Sequence, residues 1–194
     1  MKIQKVGETM NSHRFEKISK YMDDDSIILP TRATDGSAGY DFRAAEDTII
    51  PSFHSIMKAL DKIDSNSERC PWEEPYTMAD VADLTKNLRP TLVPTGIKAY
   101  VEKSKFLQLS VRSSGPLKHW LILANAVGII DSDYYNNNSN EGHIYFQIIN
   151  LLPFDIKIPK GEKIGQGVFI PYETVENDIP DSMVREGGFG STNG

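Results

Sequence analysis

The sequence predicts a mainly β domain interrupted by a helical hairpin at residues 52–88, and three observations carry that prediction. Short β-branched and aromatic runs, broken by Pro and Gly, crowd the second half of the chain. Residues 52–88 instead place apolar side chains at helical spacing. At 194 residues the chain has room for one domain with a large insertion and a real core.

Taken in order, SAGYDF (37–42) offers Asp41, which on its own reads as a surface or turn acid. In SFHSIMKALDKI the apolar positions Phe53, Ile56, Met57, Leu60 and Ile63 share one helical face, and Ser52 is placed to accept from the first-turn amides. TMADVADLTKNL does likewise, with Thr77 and Asp80 in the pattern of a capping box. The loop between them, DSNSERCPWEEPY, holds two prolines. The helices are expected to pack on each other and on the outside of the β domain, leaving Trp72 and its loop as a contact surface.

TLVPTGIKAYVEKSKFLQLSVRSSG reads as strands punctuated by Pro94, Gly96 and Gly115, with Phe106, Leu107, Leu109 and Val111 partly alternating. Its end is a serine turn, or a guanidinium, two hydroxyls and turn amides (Arg112, Ser113, Ser114) suited to phosphate oxygens. GIIDSDYYNNNSNEGHIYFQIIN (128–150) has apolar ends that read as the two strands of a hairpin. Its middle brings Asp131, Asp133, Tyr134 and Tyr135 to the hairpin mouth, chemistry that a turn does not require. In LLPFDIKIPKGEKIGQGVFIPYETV, Phe154, Ile156 and Ile158 alternate before a PKGE turn, and Gln166 by itself is a satisfied core amide. The tail REGGFGSTNG has four glycines in ten residues. That composition fits a frayed end, or amides and hydroxyls free to wrap an anion, the reading that Arg185 and Phe189 favour. Many short strands at close spacing suggest a sandwich or barrel. His119 and His143 lack ligand spacing and stay outside the chemistry.

Composition narrows the function. The 21 Lys and Arg against 27 Asp and Glu give a formal charge of −6, which argues against a grip on a nucleic-acid backbone. A small anionic ligand needs only a few local donors. One cysteine, Cys70, rules out an intrachain disulfide framework and a multi-cysteine zinc site, and it suits a reducing compartment. The start MKIQKVGETMNSHRF has no apolar signal core, and no apolar run is long enough to span a bilayer. A cytoplasmic protein without membrane contact is expected.

SAGYDF (37–42), RSSG (112–115), GIIDSDY (128–134), GEKIGQ (161–166) and GGFGST (187–192) together resemble, in order, the five motifs of the trimeric dUTPase family. The likeness spans roughly residues 29–50 and 91–194 and includes LVPTGIKA and LANAVGIIDSDY. It implies a distorted jelly-roll barrel, one domain over 1–194 with 52–88 as its insertion and 185–194 as a flexible lid. It implies a homotrimer in which three chains build each site. The activity implied is Mg²⁺-dependent hydrolysis of dUTP to dUMP and pyrophosphate.

By the same resemblance Asp131 is the base that activates water, and Asp41 and Gln166 face Mg²⁺ through waters. Arg112, Ser113 and Ser114 form the phosphate loop. Asn125, Ile129, Ile130, Ile144 and Tyr145 surround uracil, whose edge would meet backbone donors and acceptors, and the Tyr134 ring rejects a 2′-hydroxyl. Arg185, Phe189, Gly190 and Ser191 would close over the nucleotide. Two other readings stand beside this one: a dCTP deaminase of the same superfamily, and a dUTPase-fold regulator that binds a partner protein through residues 52–88. The chain departs from the family in two places: only Glu186 stands between Arg185 and GGFG where two residues are common, and seven residues separate Tyr134 from Gly142 where many members have one. The extra residues are expected to project beyond the base pocket.

Overall fold

The fold is described by a computed structural model over residues 13–65, 77–85 and 89–180. In chain order the strands and helices are β1 (Arg14–Lys17), β2 (Thr31–Arg32), β3 (Tyr40–Arg43), β4 (Thr48–Ile50), α1 (Phe53–Ser65), α2 (Met78–Leu84), β5 (Thr91–Pro94), β6 (Ile97–Tyr100), β7 (Lys105–Val111), α3 (Ser114–His119), β8 (Leu121–Leu123), β9 (Gly128–Ile130), β10 (Tyr145–Asn150), β11 (Ile156–Ile158) and β12 (Lys163–Pro171). The architecture is mainly β, as the sequence predicts. A five-stranded sheet runs β2-β3-β12-β7-β9, a three-stranded sheet runs β5-β10-β8, and β1-β6 and β11-β4 form pairs. Every pairing is antiparallel.

Strand periodicity explains the core. Along β10, Phe146, Ile148 and Asn150 are buried while Tyr145, Gln147 and Ile149 are half-buried, the period-two signature of a sheet with one apolar face. The rings of Phe42 from β3 and Phe146 from β10 lie 5.7 Å apart and join the two larger sheets. Their approach requires Gly165, because a Cβ there would stand 1.9 Å from a ring carbon of Phe146. Any side chain at this position would force the sheets apart.

The chain order differs from the expected hairpin. β9 pairs with β7, with Ile130 opposite Leu107, whereas β10 pairs with β5 and β8. Residues 131–144 therefore cross between sheets. Alternation fixes which face a strand buries but leaves its neighbour open, and an apolar run on each side of a turn is compatible with either arrangement. The serine turn after β7 is also more ordered than expected, since α3 begins at Ser114. Its Pro116 lies in the first turn, where a missing amide hydrogen costs nothing.

The insertion forms the two expected helices with the expected caps. Ser52 Oγ accepts from the Ser55 amide at 3.0 Å. Thr77 and Asp80 bond reciprocally, the Asp80 carboxylate taking the Thr77 amide at 2.8 Å and Thr77 Oγ1 taking the Asp80 amide at 3.2 Å. The expected packing is not made at several apolar positions: Phe53, Met57, Met78 and Val81 are all exposed. Periodicity specifies a face, and a face needs a partner before it is buried. Trp72 and its loop lie outside the described residues. Among the described residues no helix is long and apolar enough to cross a membrane.

Candidate functional site

Register brings three of the motifs together. In the five-stranded sheet Gln166 of β12 stands opposite Asp41 of β3 and Ser110 of β7, and Gly165 stands opposite Val111. Arg112 leaves the end of β7 beside them. Its Nε lies 3.1 Å from Asp41 Oδ1, and Lys163 Nζ lies 2.6 Å from Asp41 Oδ2. Asp41 is buried, so this carboxylate is held by a cation on each oxygen, and two cations against one anion leave the cluster positive. Gly39 makes room for the neighbouring amide, because a Cβ there would stand 2.5 Å from Gln166 Oε1. Ser113 is exposed at the head of α3, and its hydroxyl makes no cap bond. Arg112 and Ser114 line a cavity of about 270 Å³ together with Lys163.

A second cavity, of about 190 Å³, opens between the sheets. Asn125, Ile129, Ile130, Tyr134 and Tyr145 line it, with His143 and Gln147 as further lining groups. Asp131 directly follows Ile130 and opens the turn Ser132–Tyr134, its carbonyl accepting the Tyr134 amide at 3.2 Å. Ile144 does not fit the role expected of it. Its side chain is fully buried, its amide donates to the Ile97 carbonyl at 2.9 Å, and its carbonyl accepts from Thr95 Oγ1 at 2.7 Å. A backbone so engaged has little to offer a ligand edge.

His143 is the residue that sequence reasoning missed. Its Nε2 accepts from the Gly96 amide at 2.9 Å, which places the ring proton on Nδ1. Burial, helped by Lys20 nearby, pushes this imidazole down to about 4, so it is neutral at ordinary pH. Its position just before the Ile144–Tyr145 flank was the available signal. Lys163 was likewise overlooked, although it stands three residues before Gln166 in the GEKIGQ motif. Arg185, Phe189, Gly190 and Ser191 lie outside the described residues.

Two features bear on assembly and metal. The two cavities share no lining residue, so within one chain Arg112 and Ser114 stand in a different cavity from Tyr134. Among the described residues no group of three His, Cys, Asp or Glu side chains could hold a metal ion. Asp41 already carries a cation on each oxygen, so an ion beside it would be held mainly by ligand oxygens and water rather than by a protein cage.

Comparison with known proteins agrees with the motif order. The family model for dUTPase matches residues 81–193. The chain is 38% identical over 184 residues, 94% of its length and 99% of the relative's, to the deoxyuridine 5'-triphosphate nucleotidohydrolase of Lactococcus lactis. It is 36% identical over 121 residues, 60% of this chain and 79% of the relative's, to that of Finegoldia magna. The fold matches a crystal structure of dUTPase from Streptococcus mutans with a TM-score of 0.62 and 35% identity, covering 84% of this chain and 98% of that one. A mutant dUTPase from phage phi11 of S. aureus, described with a structural Mg(II) ion, shares the fold at a TM-score of 0.56 and 15% identity, over 89% and 99% of the two chains.

Proposed function

The chain belongs to the dUTPase family, and from that premise we propose how its own residues carry out the reaction of a dUTP diphosphatase, the hydrolysis of dUTP to dUMP and pyrophosphate. Removing dUTP keeps uracil out of DNA, and the dUMP formed supplies thymidylate synthesis. Uracil enters the cavity between Ile129, Ile130 and Tyr145, with Asn125 at its edge. The Tyr134 ring packs against the deoxyribose and leaves no room for a 2′-hydroxyl. Asp131 takes the proton of the water that attacks the α-phosphorus. Arg112, Ser113 and Ser114 receive the phosphates, with Lys163 adding charge beside them.

Mg²⁺, when bound to the triphosphate, neutralises its charge and orients its oxygens. Asp41 and Gln166 would face that ion through waters. Arg185, Phe189, Gly190 and Ser191 close over the nucleotide as a lid.

The observation that carries the reading is the join between cavity and acid: Ile130 and Tyr134 line one pocket, and Asp131 lies between them in the chain. The separation of this pocket from the Arg112 loop supports a homotrimer whose sites draw on different chains. The test is pyrophosphate release from dUTP and ammonia release from dCTP, each with and without Mg²⁺. Pyrophosphate from dUTP that depends on Mg²⁺, with no ammonia from dCTP, is expected. Ammonia from dCTP would assign the site to deamination instead.

A further inference from the structure

The lengthened connection after Tyr134, residues 135–141, does not project away from the pocket; it folds back and fastens that tyrosine. Asn140 Nδ2 donates to Tyr134 Oη at 2.8 Å, and Tyr134 Oη donates to the His143 carbonyl at 2.9 Å, so both bonding directions of the phenol are filled. At the other end of the residue, Asn137 Nδ2 donates to the Tyr134 carbonyl at 2.9 Å. The two amides also hold each other. Asn137 Nδ2 donates to Asn140 Oδ1 at 2.8 Å, and Asn137 Oδ1 accepts from the Ser139 amide, the Ser139 hydroxyl and the Asn140 amide at 3.0, 2.7 and 3.1 Å. Asn140 Oδ1 takes the Gly142 amide at 3.0 Å. Gly142 has φ +81°, and a Cβ there would stand 2.6 Å from the Tyr134 carbonyl oxygen, so only glycine lets the chain close this tightly.

The loop is fastened outside as well. The Glu141 carboxylate accepts from the Ser19 amide and hydroxyl at 3.1 and 2.9 Å, Lys98 Nζ donates to Asn136 Oδ1 at 2.7 Å, and Tyr135 Oη donates to Glu16 at 2.7 Å. Tyr134 and Asn137 are both buried. A turn needing only to connect two strands would not set one satisfied amide on the Tyr134 phenol and a second on its backbone carbonyl.

We propose that Asn140, braced by Asn137, is a positioning residue that fixes the Tyr134 ring and thereby sets the discrimination between deoxyribose and ribose. The proposal rests on the reading of Tyr134 as the group that meets the sugar. Steric rejection of one hydroxyl works only against a wall that cannot retreat, and a ring free to tilt would admit the 2′-oxygen. The network removes that freedom at both ends of the residue.

The experiment compares kcat/KM for dUTP and for UTP in the wild-type chain, Asn140→Ala, Tyr134→Ala, Tyr134→Phe and the double variant Asn140→Ala/Tyr134→Phe, with oligomeric state and Tm measured alongside. Asn140→Ala is expected to lower the dUTP/UTP ratio by about tenfold, chiefly by raising kcat/KM for UTP, and the double variant should be no less selective than Tyr134→Phe alone. A purely structural loop would lower Tm and leave the ratio in place. Should Asn140→Ala fail to fold, Asn140→Ser keeps a small polar side chain that is too short to reach the Tyr134 phenol, and it should relax the ratio as well. An unchanged ratio in the folded Asn140 variants, with Tyr134→Ala relaxed, would overturn the proposal alone. An unchanged ratio in Tyr134→Ala would overturn the sugar reading and the proposal together. Wild-type protein that released no pyrophosphate from dUTP would overturn the activity and, with it, both.

Discussion

His143 lines the pocket and Asp131 follows its lining residue Ile130 in the chain, and opposite chemistry is expected of the two. Asp131→Asn keeps the side-chain shape but cannot accept the proton of the attacking water. Turnover of dUTP should fall by about a hundredfold to ten-thousandfold while dUMP affinity, measured by calorimetry, stays near wild type. Equal loss of both would mean that Asp131 binds rather than activates. His143 acts on stability. Its folded-state value, near 4, lies below the ordinary 6.5, so the unfolded chain binds a proton that the native chain refuses as pH falls. Lys20, Glu46 and Glu141 act on it as well, the first lowering and the last two raising its affinity for that proton. Its contribution is therefore complete above about pH 6.5 and is lost as pH drops toward 4. His143→Leu should flatten that part of the profile at fixed protein concentration. It should also cost about 2 kcal/mol at neutral pH, because the Gly96 amide loses its acceptor. A variant with the wild-type slope between pH 6.5 and 4 would show that another group carries it. The expectation for Asp131 comes from its motif, whereas the bond that holds His143 depends on Gly96, far away in sequence, and no local spacing reveals it.

The insertion is the element most nearly independent of the chemistry. Its helices carry their own caps, and neither Asp41, Arg112, Tyr134 nor Gln166 lies within them. Replacing residues 54–88 by a short glycine-containing linker should leave an oligomer that hydrolyses dUTP at a near-wild-type rate. A folded but inactive product would place the helices in the site. Ser52→Ala, in the intact chain, should loosen the first turn of α1 by about 1 kcal/mol, seen as faster amide exchange at Ser55. These helices were legible because capping and periodicity are local. Strands β1 to β4 were harder to read, since two to four residues carry little periodicity. The crossover of residues 131–144 was misread as a hairpin for a related reason: its flanks show which faces are buried, but the partners β7 and β5 are chosen by the whole sheet.

At the scale of the assembly, one chain keeps Arg112 and Tyr134 in separate cavities, and the periodicity of a single sequence carries no sign of whether a second subunit brings the two together. The expectation of a trimer rests on the motif order. Subunit mixing tests it directly. An Asp131→Asn chain retains the Arg112 loop, and an Arg112→Ala chain retains Asp131 and still pairs Asp41 with Lys163. Each homo-oligomer should be nearly inactive. If a site takes its phosphate loop from one subunit and its acid from another, co-assembly at equal amounts makes each half sound half the time. About one quarter of the sites should then be intact, and activity should recover to about a quarter of the wild-type value. If one chain supplies both halves, every site in the mixture carries a lesion and activity stays at the parents' level whatever the ratio. Varying the ratio sharpens the distinction, because composite sites predict a maximum at equal amounts that falls toward zero on both sides. A flat response, with mixed oligomers confirmed by mass spectrometry, would place the reaction within a single chain and would require the two cavities to be joined by motion of that chain.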